Sequence, residues 1–300
     1  MDLYTQKDLN VRKTWFLITM FLVMLVGFGW VISYIYNAPE ILYFAFFISM
    51  LMNGIAYWKS DKIALAMSRA RPIDRVGNEY VYRMVENLCI TAGLPMPRLY
   101  IIDSDQINAF ATGRDPDHAA IAITAGAISK LQNEELEGVL AHELAHIGNR
   151  DILLSSVLVV LAGLISLVSD IVLRSGFRSN GDRDSKSSGA MALIAILAAI
   201  LAPIAAMVIQ LAVSRKREFL ADASGALLTR FPDGLANALE KISADSSPMR
   251  QAHNATAHMF ISAPFKGKSG TNWFARLFMT HPPIEERVSA LRGMNINREK

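Results

Sequence analysis

Two uncharged stretches near the start of the chain constrain its fold more than any other feature. Residues 15–36 (WFLITMFLVMLVGFGWVISYIY) and 41–58 (ILYFAFFISMLMNGIAYW) contain no Asp, Glu, Lys or Arg. Each approaches the about 20 apolar residues that a helix needs to cross the hydrocarbon core of a bilayer. Only Asn37-Ala38-Pro39-Glu40 separates them, so they read as a helical hairpin. The first run exceeds the roughly 7–15 residues of a signal peptide's apolar region and no small-residue cleavage site follows, which makes it an anchor. A second pair lies further on. Residues 152–173 are apolar apart from serines and Asp170, and residues 190–213 form an Ala/Leu/Ile run holding Pro203, a kink that membrane helices tolerate. Their length favours two further spans; a buried hairpin in a soluble core is the other reading the sequence leaves open.

Composition agrees with a membrane chain. Of 300 residues 52% are hydrophobic and 19% charged, and a formal charge of +3 is too small to suggest a nucleic-acid partner. The single cysteine, Cys89, excludes an internal disulfide framework and any four-cysteine zinc site. Lys7, Arg12 and Lys13 precede the first run, and Lys59, Lys62, Arg69, Arg71 and Arg75 follow the second. The excess of Lys and Arg on cytoplasmic flanks then places the N-terminus and residues 59–151 in the cytoplasm. With four spans the segment from Ser214 onward is cytoplasmic too, and Arg215, Lys216 and Arg217 agree. The loop carrying Arg174, Arg178, Arg183 and Lys186 departs from the rule.

The chain therefore divides into a membrane hairpin (1–58), a polar segment (59–151), a second membrane hairpin (152–213) and a second polar segment (214–300). In the first polar segment the spacing of Val81, Met84, Val85 and Leu88 predicts a helix over 76–92, stopped by Gly93. Residues 98–103, 107–113 and 119–124 are short and bounded by turn residues, and predict a small antiparallel sheet. Asn133 is placed as the N-cap of a helix with Glu134 and Glu135 in its first turn.

That helix carries His142-Glu143-Leu144-Ala145-His146. Residues at i and i+4 share a helical face, so both imidazoles reach one ion. Glu143, one step round, reaches a water on that ion rather than the ion. This is the arrangement of metal-assisted peptide hydrolysis, with Zn2+ acidifying the water and Glu143 moving its proton. A catalytic zinc takes three protein ligands, and Glu218 in Arg215-Lys216-Arg217-Glu218-Phe219-Leu220-Ala221-Asp222 is the candidate third. Asp222, four residues on, shares its face and can accept the free N–H of a ligand histidine. Taken alone this stretch reads as a charged helix end, and its pairing with the histidine motif reverses that reading; placement agrees, because a membrane hairpin returns the chain to the side it left and can bring Glu218 back towards His146.

These motifs resemble the HtpX family of bacterial membrane zinc metalloproteases, relatives of the CAAX prenyl endopeptidases. The likeness spans nearly the whole chain: the N-terminal hairpin, Asn108-Ala109-Phe110-Ala111, Ile123-Thr124, the histidine motif, the stretch from Arg215 to Asp222, and Thr280-His281-Pro282-Pro283. The resemblance implies an α+β fold in which four transmembrane helices carry a split cytoplasmic zincin-like (gluzincin) protease domain. It makes His142, His146 and Glu218 the zinc ligands, one Zn2+ per chain, and Glu143 the base. It implies that Asn108, Ala109 and Phe110 lie on an edge strand beside the site, where an extended substrate can add as a further strand. His281 and Arg287 are spaced like a pair that contacts substrate near the metal in the prenyl proteases, and a cation there stabilises a developing oxyanion. His118, His253 and His258 are left without a metal role, and the polar stretch around the last two reads as a loop over the cleft.

The function expected is an endopeptidase of the bacterial inner (cytoplasmic) membrane, multi-pass, with its site facing the cytoplasm. By resemblance it degrades damaged or misfolded membrane proteins and cleaves itself. Its partners are the bilayer and membrane-protein or unfolded polypeptide substrates, with no nucleic acid. A dedicated processing peptidase and a membrane scaffold with a vestigial metal site are the alternatives; the intact Glu143 argues against the second.

Overall fold

The computed structural model describes residues 3–160, 163, 215–249, 253, 255–262, 264 and 282–294. Two long helices come first, α1 (Leu3–Tyr36) and α2 (Pro39–Met67). The reversal between them is made by Asn37 in the left-handed region (φ 52°) and by Pro39, whose fixed φ suits the first helical position. Residues Asp8–Tyr34 and Pro39–Met67 are each long and apolar enough to cross a membrane, yet only 17% of each apolar window is buried. Trp15, Phe16, Trp30, Tyr34, Phe44 and Phe47 are among the side chains left exposed. A core helix of a soluble protein hides such a face, so this surface is matched to lipid. The second predicted pair, 152–213, falls largely outside the described residues; of it, 152–160 are helical.

Both long helices continue beyond their apolar runs into the polar part of the molecule. The end of α2 buries Ala64 and Leu65 against Ile102, Phe110 and Ala122. The lower half of α1 packs Leu17, Ile18 and Phe21 on Leu153, Leu154, Val157 and Leu158 of the helical segment 152–160.

The sheet holds β1 (Arg71–Pro72), β2 (Arg98–Ile102), β3 (Ala109–Gly113) and β4 (Ala119–Thr124) in the order β1-β2-β4-β3. It is mixed, not antiparallel as the sequence suggested: β2 and β4 run parallel, while β1–β2 and β3–β4 are antiparallel. The reason lies in β4. Every residue of Ala119–Thr124 is buried, which suits a central strand covered on both faces. Once β4 takes the centre between β2 and β3, it runs in the same direction as β2. One sheet face meets the main core through Ile121, Ile123, Ala109 and Ala111. Phe110, Ala120 and Ala122 turn to the other face, against α2 and Phe260.

Helix α3 (Glu79–Ala92) buries Val81, Val85, Leu88 and Cys89 and ends at left-handed Gly93 (φ 63°). The Cys89 thiol is pushed up to about 11 by burial, with Glu86 adding to it, so it is no nucleophile at neutral pH. After the short α4 (Ala125–Lys130) comes α5 (Asn133–Gly148). Its cap is Gln132 rather than Asn133: Glu135 reaches back to accept from the Gln132 backbone N–H at 2.7 Å, and Asn133 joins the helix. Lys241 donates to the same carboxylate at 2.7 Å. Helices α6 (Arg215–Thr229), α7 (Pro232–Ala244) and α8 (Ile284–Arg292) complete the described fold.

Gly138 in the middle of α5 has a packing reason. A Cβ there would lie 2.7 Å from the Leu235 backbone nitrogen, closer than atoms approach without a shift. Gly138→Ala is therefore expected to destabilise the chain by about 1–3 kcal/mol, read from its denaturant midpoint. Asp245, just past α7, accepts from Ile107 N–H at 2.7 Å and from Ser247 N–H at 3.0 Å, tying this helix end to the approach to β3. Burial raises its carboxyl, but the bonds from Ser247 and Ile107 and the charge of Lys130 outweigh that and hold it at about 2. A depressed carboxyl adds stability above its unfolded-state value, near 3.9, and loses it as pH falls towards about 2. Asp245→Asn should flatten that part of an acid titration of stability while leaving the neutral limb parallel to wild type.

Candidate metal centre

Helix α5 carries His142 and Glu143, both buried, and half-buried His146 into one cluster. The two imidazoles meet edge to face with centroids 4.7 Å apart and their Nε2 atoms 3.1 Å apart. Glu218 arrives from α6, its Oε2 3.8 Å from His142 Nε2 and its Oε1 3.7 Å from His146 Nε2. One glycine permits this approach: a Cβ on Gly225 of α6 would stand 3.0 Å from the His142 backbone nitrogen, so the two helix backbones nearly touch.

The ring nitrogens facing away from this cluster are fixed by carboxylates. His142 Nδ1 lies 2.9 Å from Asp222 Oδ1, and His146 Nδ1 lies 3.1 Å from Asp151 Oδ2. A carboxylate accepts only, so His146 Nδ1 carries its hydrogen towards Asp151; His142 Nδ1 is close to Asp222 without an aligned hydrogen bond, and both Nε2 atoms face the centre. An ion about 2.0–2.1 Å from tetrahedral ligands requires those ligands to stand roughly 3.3–3.5 Å apart. The observed edges of 3.1, 3.7 and 3.8 Å bracket that span, and ligand atoms of all three residues lie within 4.8 Å of one another. Charge points the same way. Buried Glu143, Asp151, Glu218 and Asp222 face buried Arg217 and Arg287, an excess of negative charge that a divalent cation balances. The residues fit a metal ion.

Arg287, expected to face substrate, is fully buried. Its Nε donates to Asp222 Oδ2 at 2.8 Å and its Nη2 to Asp222 Oδ1 at 2.6 Å, a two-pronged pair. Nη1 donates to the Ile261 carbonyl at 3.2 Å and stands 3.7 Å from Glu218. Burial pushes the Asp222 carboxyl up, and Arg287 and His142 more than reverse this, holding it at about 2. His281 lies outside the described residues.

Glu143 lines the same small cavity as His142, His146 and Glu218, about 30 Å³, roomy enough for water and too small for a peptide. Burial raises its carboxyl, opposed by the two histidines, raised further by Glu218, and opposed again by the backbone N–H of Ala111. Ala111 belongs to edge strand β3. Of the residues expected to serve substrate, Asn108, Ala109 and Phe110 are all buried. Asn108 Nδ2 donates to the Ser262 carbonyl at 2.9 Å, Phe110 packs edge-on against Phe260, and Ile261 N–H donates to Ala109 O at 3.0 Å.

Two residues had no role in the sequence reading. His258 is buried, lines the cavity, and donates from Nε2 to the Ser155 carbonyl at 3.1 Å. Its surroundings have no periodicity that would have singled it out. Asp151 likewise had no role in the sequence reading. Left-handed Arg150 (φ 57°) reverses the chain after α5, and Asp151 N–H returns to the His146 carbonyl at 3.0 Å, carrying its carboxylate onto the ring. A carboxylate five residues past a ligand histidine, just beyond a helix end, was the available signal. His118 lies apart, half exposed against Asp115 at 2.6 Å.

A helix presenting His-Glu-x-x-His, joined by a glutamate from a second helix, defines a metalloprotease. The sequence profile of peptidase family M48 matches residues 76–295, and the chain belongs to that family. It is 45% identical to the protease HtpX homolog of Caldanaerobacter subterraneus subsp. tengcongensis, over 98% of both chains. It is 46% identical to that of Thermococcus kodakarensis, over 93% of this chain and 95% of the other. The likeness to HtpX proteases read from the motifs is thereby borne out, and the protein is a membrane-associated metalloprotease. Among solved structures, Ste24p of S. mikatae aligns at 19% identity with a TM-score of 0.46, over 91% of this chain and 61% of that one.

Removing Arg287 strands a buried carboxylate. Arg287→Met is expected to cost about 3–5 kcal/mol in chemical denaturation. Arg287→Met with Asp222→Leu should recover part of that loss, because the stranded Asp222 carboxylate is gone while Glu218 still lacks the guanidinium 3.7 Å away.

Proposed function

We propose that the chain is a zinc-dependent endopeptidase of the cytoplasmic membrane that hydrolyses peptide bonds in damaged or misfolded membrane proteins and cleaves itself. The observation that carries this reading is the convergence of His142 Nε2, His146 Nε2 and Glu218 beside a buried Glu143. His142, His146 and Glu218 hold the ion, with Asp222 behind the first ring and Asp151 behind the second. Bound zinc supplies Lewis acidity towards water and towards a peptide carbonyl. Glu143, its carboxyl raised by burial and steadied by the Ala111 N–H, takes a proton from the attacking water and delivers it to the leaving amine. Arg287 acts on this centre through Asp222 rather than on substrate, while His281 keeps the oxyanion role that the family resemblance suggests.

Substrate enters as an extended strand along β3, the sheet edge beside the cavity, through the backbone of Asn108, Ala109 and Phe110. Pairing at Ala109 requires Ile261 to give up its bond there. Two exposed apolar helices that run on into the site-bearing domain favour substrates held in or near the bilayer. The proposed architecture has four membrane helices, with the protease domain split between 59–151 and 214–300 and facing the cytoplasm.

Replacing His142, His146 or Glu218 singly by Ala should take bound zinc from about one per chain to almost none. Glu143→Gln should keep the zinc and lower cleavage of an unfolded substrate by roughly 10²–10⁴-fold. Zinc content by elemental analysis and proteolysis of detergent-purified protein test both; zinc undiminished in Glu218→Ala would sink the ligand set.

A further inference from the structure

The foot of α1 reaches the metal centre. Asn10 is buried there, and its side-chain amide bridges two groups just past the end of α5. Nδ2 donates to the Asn149 carbonyl at 3.2 Å and to Asp151 Oδ1. Both partners are acceptors only, so the NH2 end of the amide must face them, and both of its hydrogens are used. Asn149 caps α5, its N–H bonded to the Ala145 carbonyl at 2.9 Å. Asp151 holds His146 through its other oxygen. A single amide therefore fixes the helix end that carries the histidine and the carboxylate that orients its ring.

Thr14, one turn along α1, bonds the Asn10 backbone carbonyl at 2.9 Å, a contact within the helix that does not touch the amide bridge. Leu17, Ile18 and Phe21 then lock α1 against residues 153–158, the segment that follows Asp151. Without the amide, Asp151 Oδ1 keeps Arg217 Nη1 at 4.0 Å. A carboxylate turning towards that guanidinium carries Oδ2 away from His146.

We propose that Asn10 is a positioning residue for the metal centre, so that the N-terminal membrane helix completes the site and its seating sets how tightly His146 holds the ion. The inference rests on His142, His146 and Glu218 being the ligands. Partners behind a metal ligand typically contribute about 10–100-fold in affinity, and Asn10 acts one step further out, so a loss of roughly tenfold is expected.

The test uses the full-length chain in detergent, loaded with Co2+, whose visible spectrum reports ligand geometry. Cobalt release into excess chelator is timed for wild type, Asn10→Asp, Asn10→Ala and Thr14→Ala. Asn10→Asp keeps the volume but sets a carboxylate against Asp151; Asn10→Ala removes the donor with a good helix former and decides the matter if the first does not fold. Both should release cobalt about tenfold faster with a shifted spectrum, while Thr14→Ala behaves as wild type. In an Asp151→Ala background, Asn10→Ala should change release less than it does in wild type, because one of the two groups it acts through is gone and only the Asn149 carbonyl remains. Wild-type release and spectrum in both Asn10 variants, or an undiminished Asn10→Ala effect without Asp151, overturns the inference. Failure of wild type itself to bind cobalt would instead remove the ligand reading beneath it.

Discussion

The arrangement on which the rest of the molecule depends is a pair of imidazoles held by buried carboxylates so that two lone pairs converge with Glu218. Neither ring would stay there unaided. Two ring nitrogens 3.1 Å apart, next to a carboxylate, need a cation or a shared proton between them. Asp222 and Asp151 fix the rings from behind, and Arg287 in turn keeps Asp222 charged in a place with little access to water. The centre is a layered set of charges in which each layer would be unfavourable if buried alone.

Backbone geometry makes those layers meet. Gly225 lets α6 lie on α5 at His142, and Gly138 lets α7 lie on α5 two turns away from His146. The sheet contributes β3, whose Ala111 N–H steadies Glu143. Segment 255–262 then closes over the cavity with His258, Met259 and Ile261. Among the described residues the cavity beside the centre has room for water and not for a peptide.

The apolar helices are structural parts of the same unit. Helix α2 ends inside the packing under the sheet, and α1 ends beside the carboxylate that orients His146. A membrane-associated protease built this way has its apolar helices in direct contact with the residues around its metal centre.

Spacing along one helix placed His142 and His146 together, because a period of 3.6 residues leaves no other choice once α5 forms. The uncharged runs were equally legible, since no other arrangement hides so much apolar surface. The candidacy of Glu218 and Asp222 followed from their own i, i+4 spacing, and the structure brings both to the histidines. What the sequence could not decide were contacts between elements distant along the chain. The mixed sheet depended on which strand took the centre, Gln132 took the cap because Glu135 turned back to it, and Arg287 chose Asp222 over the open side of the site. Asp151, Asn10 and His258 reached the centre through a left-handed turn, the seating of a helix and a loop crossing. Periodicity is a local property carried by backbone sterics and is written in the order of residues. Which buried charge finds which partner is settled by desolvation, and that exists only after the chain has closed around the pair.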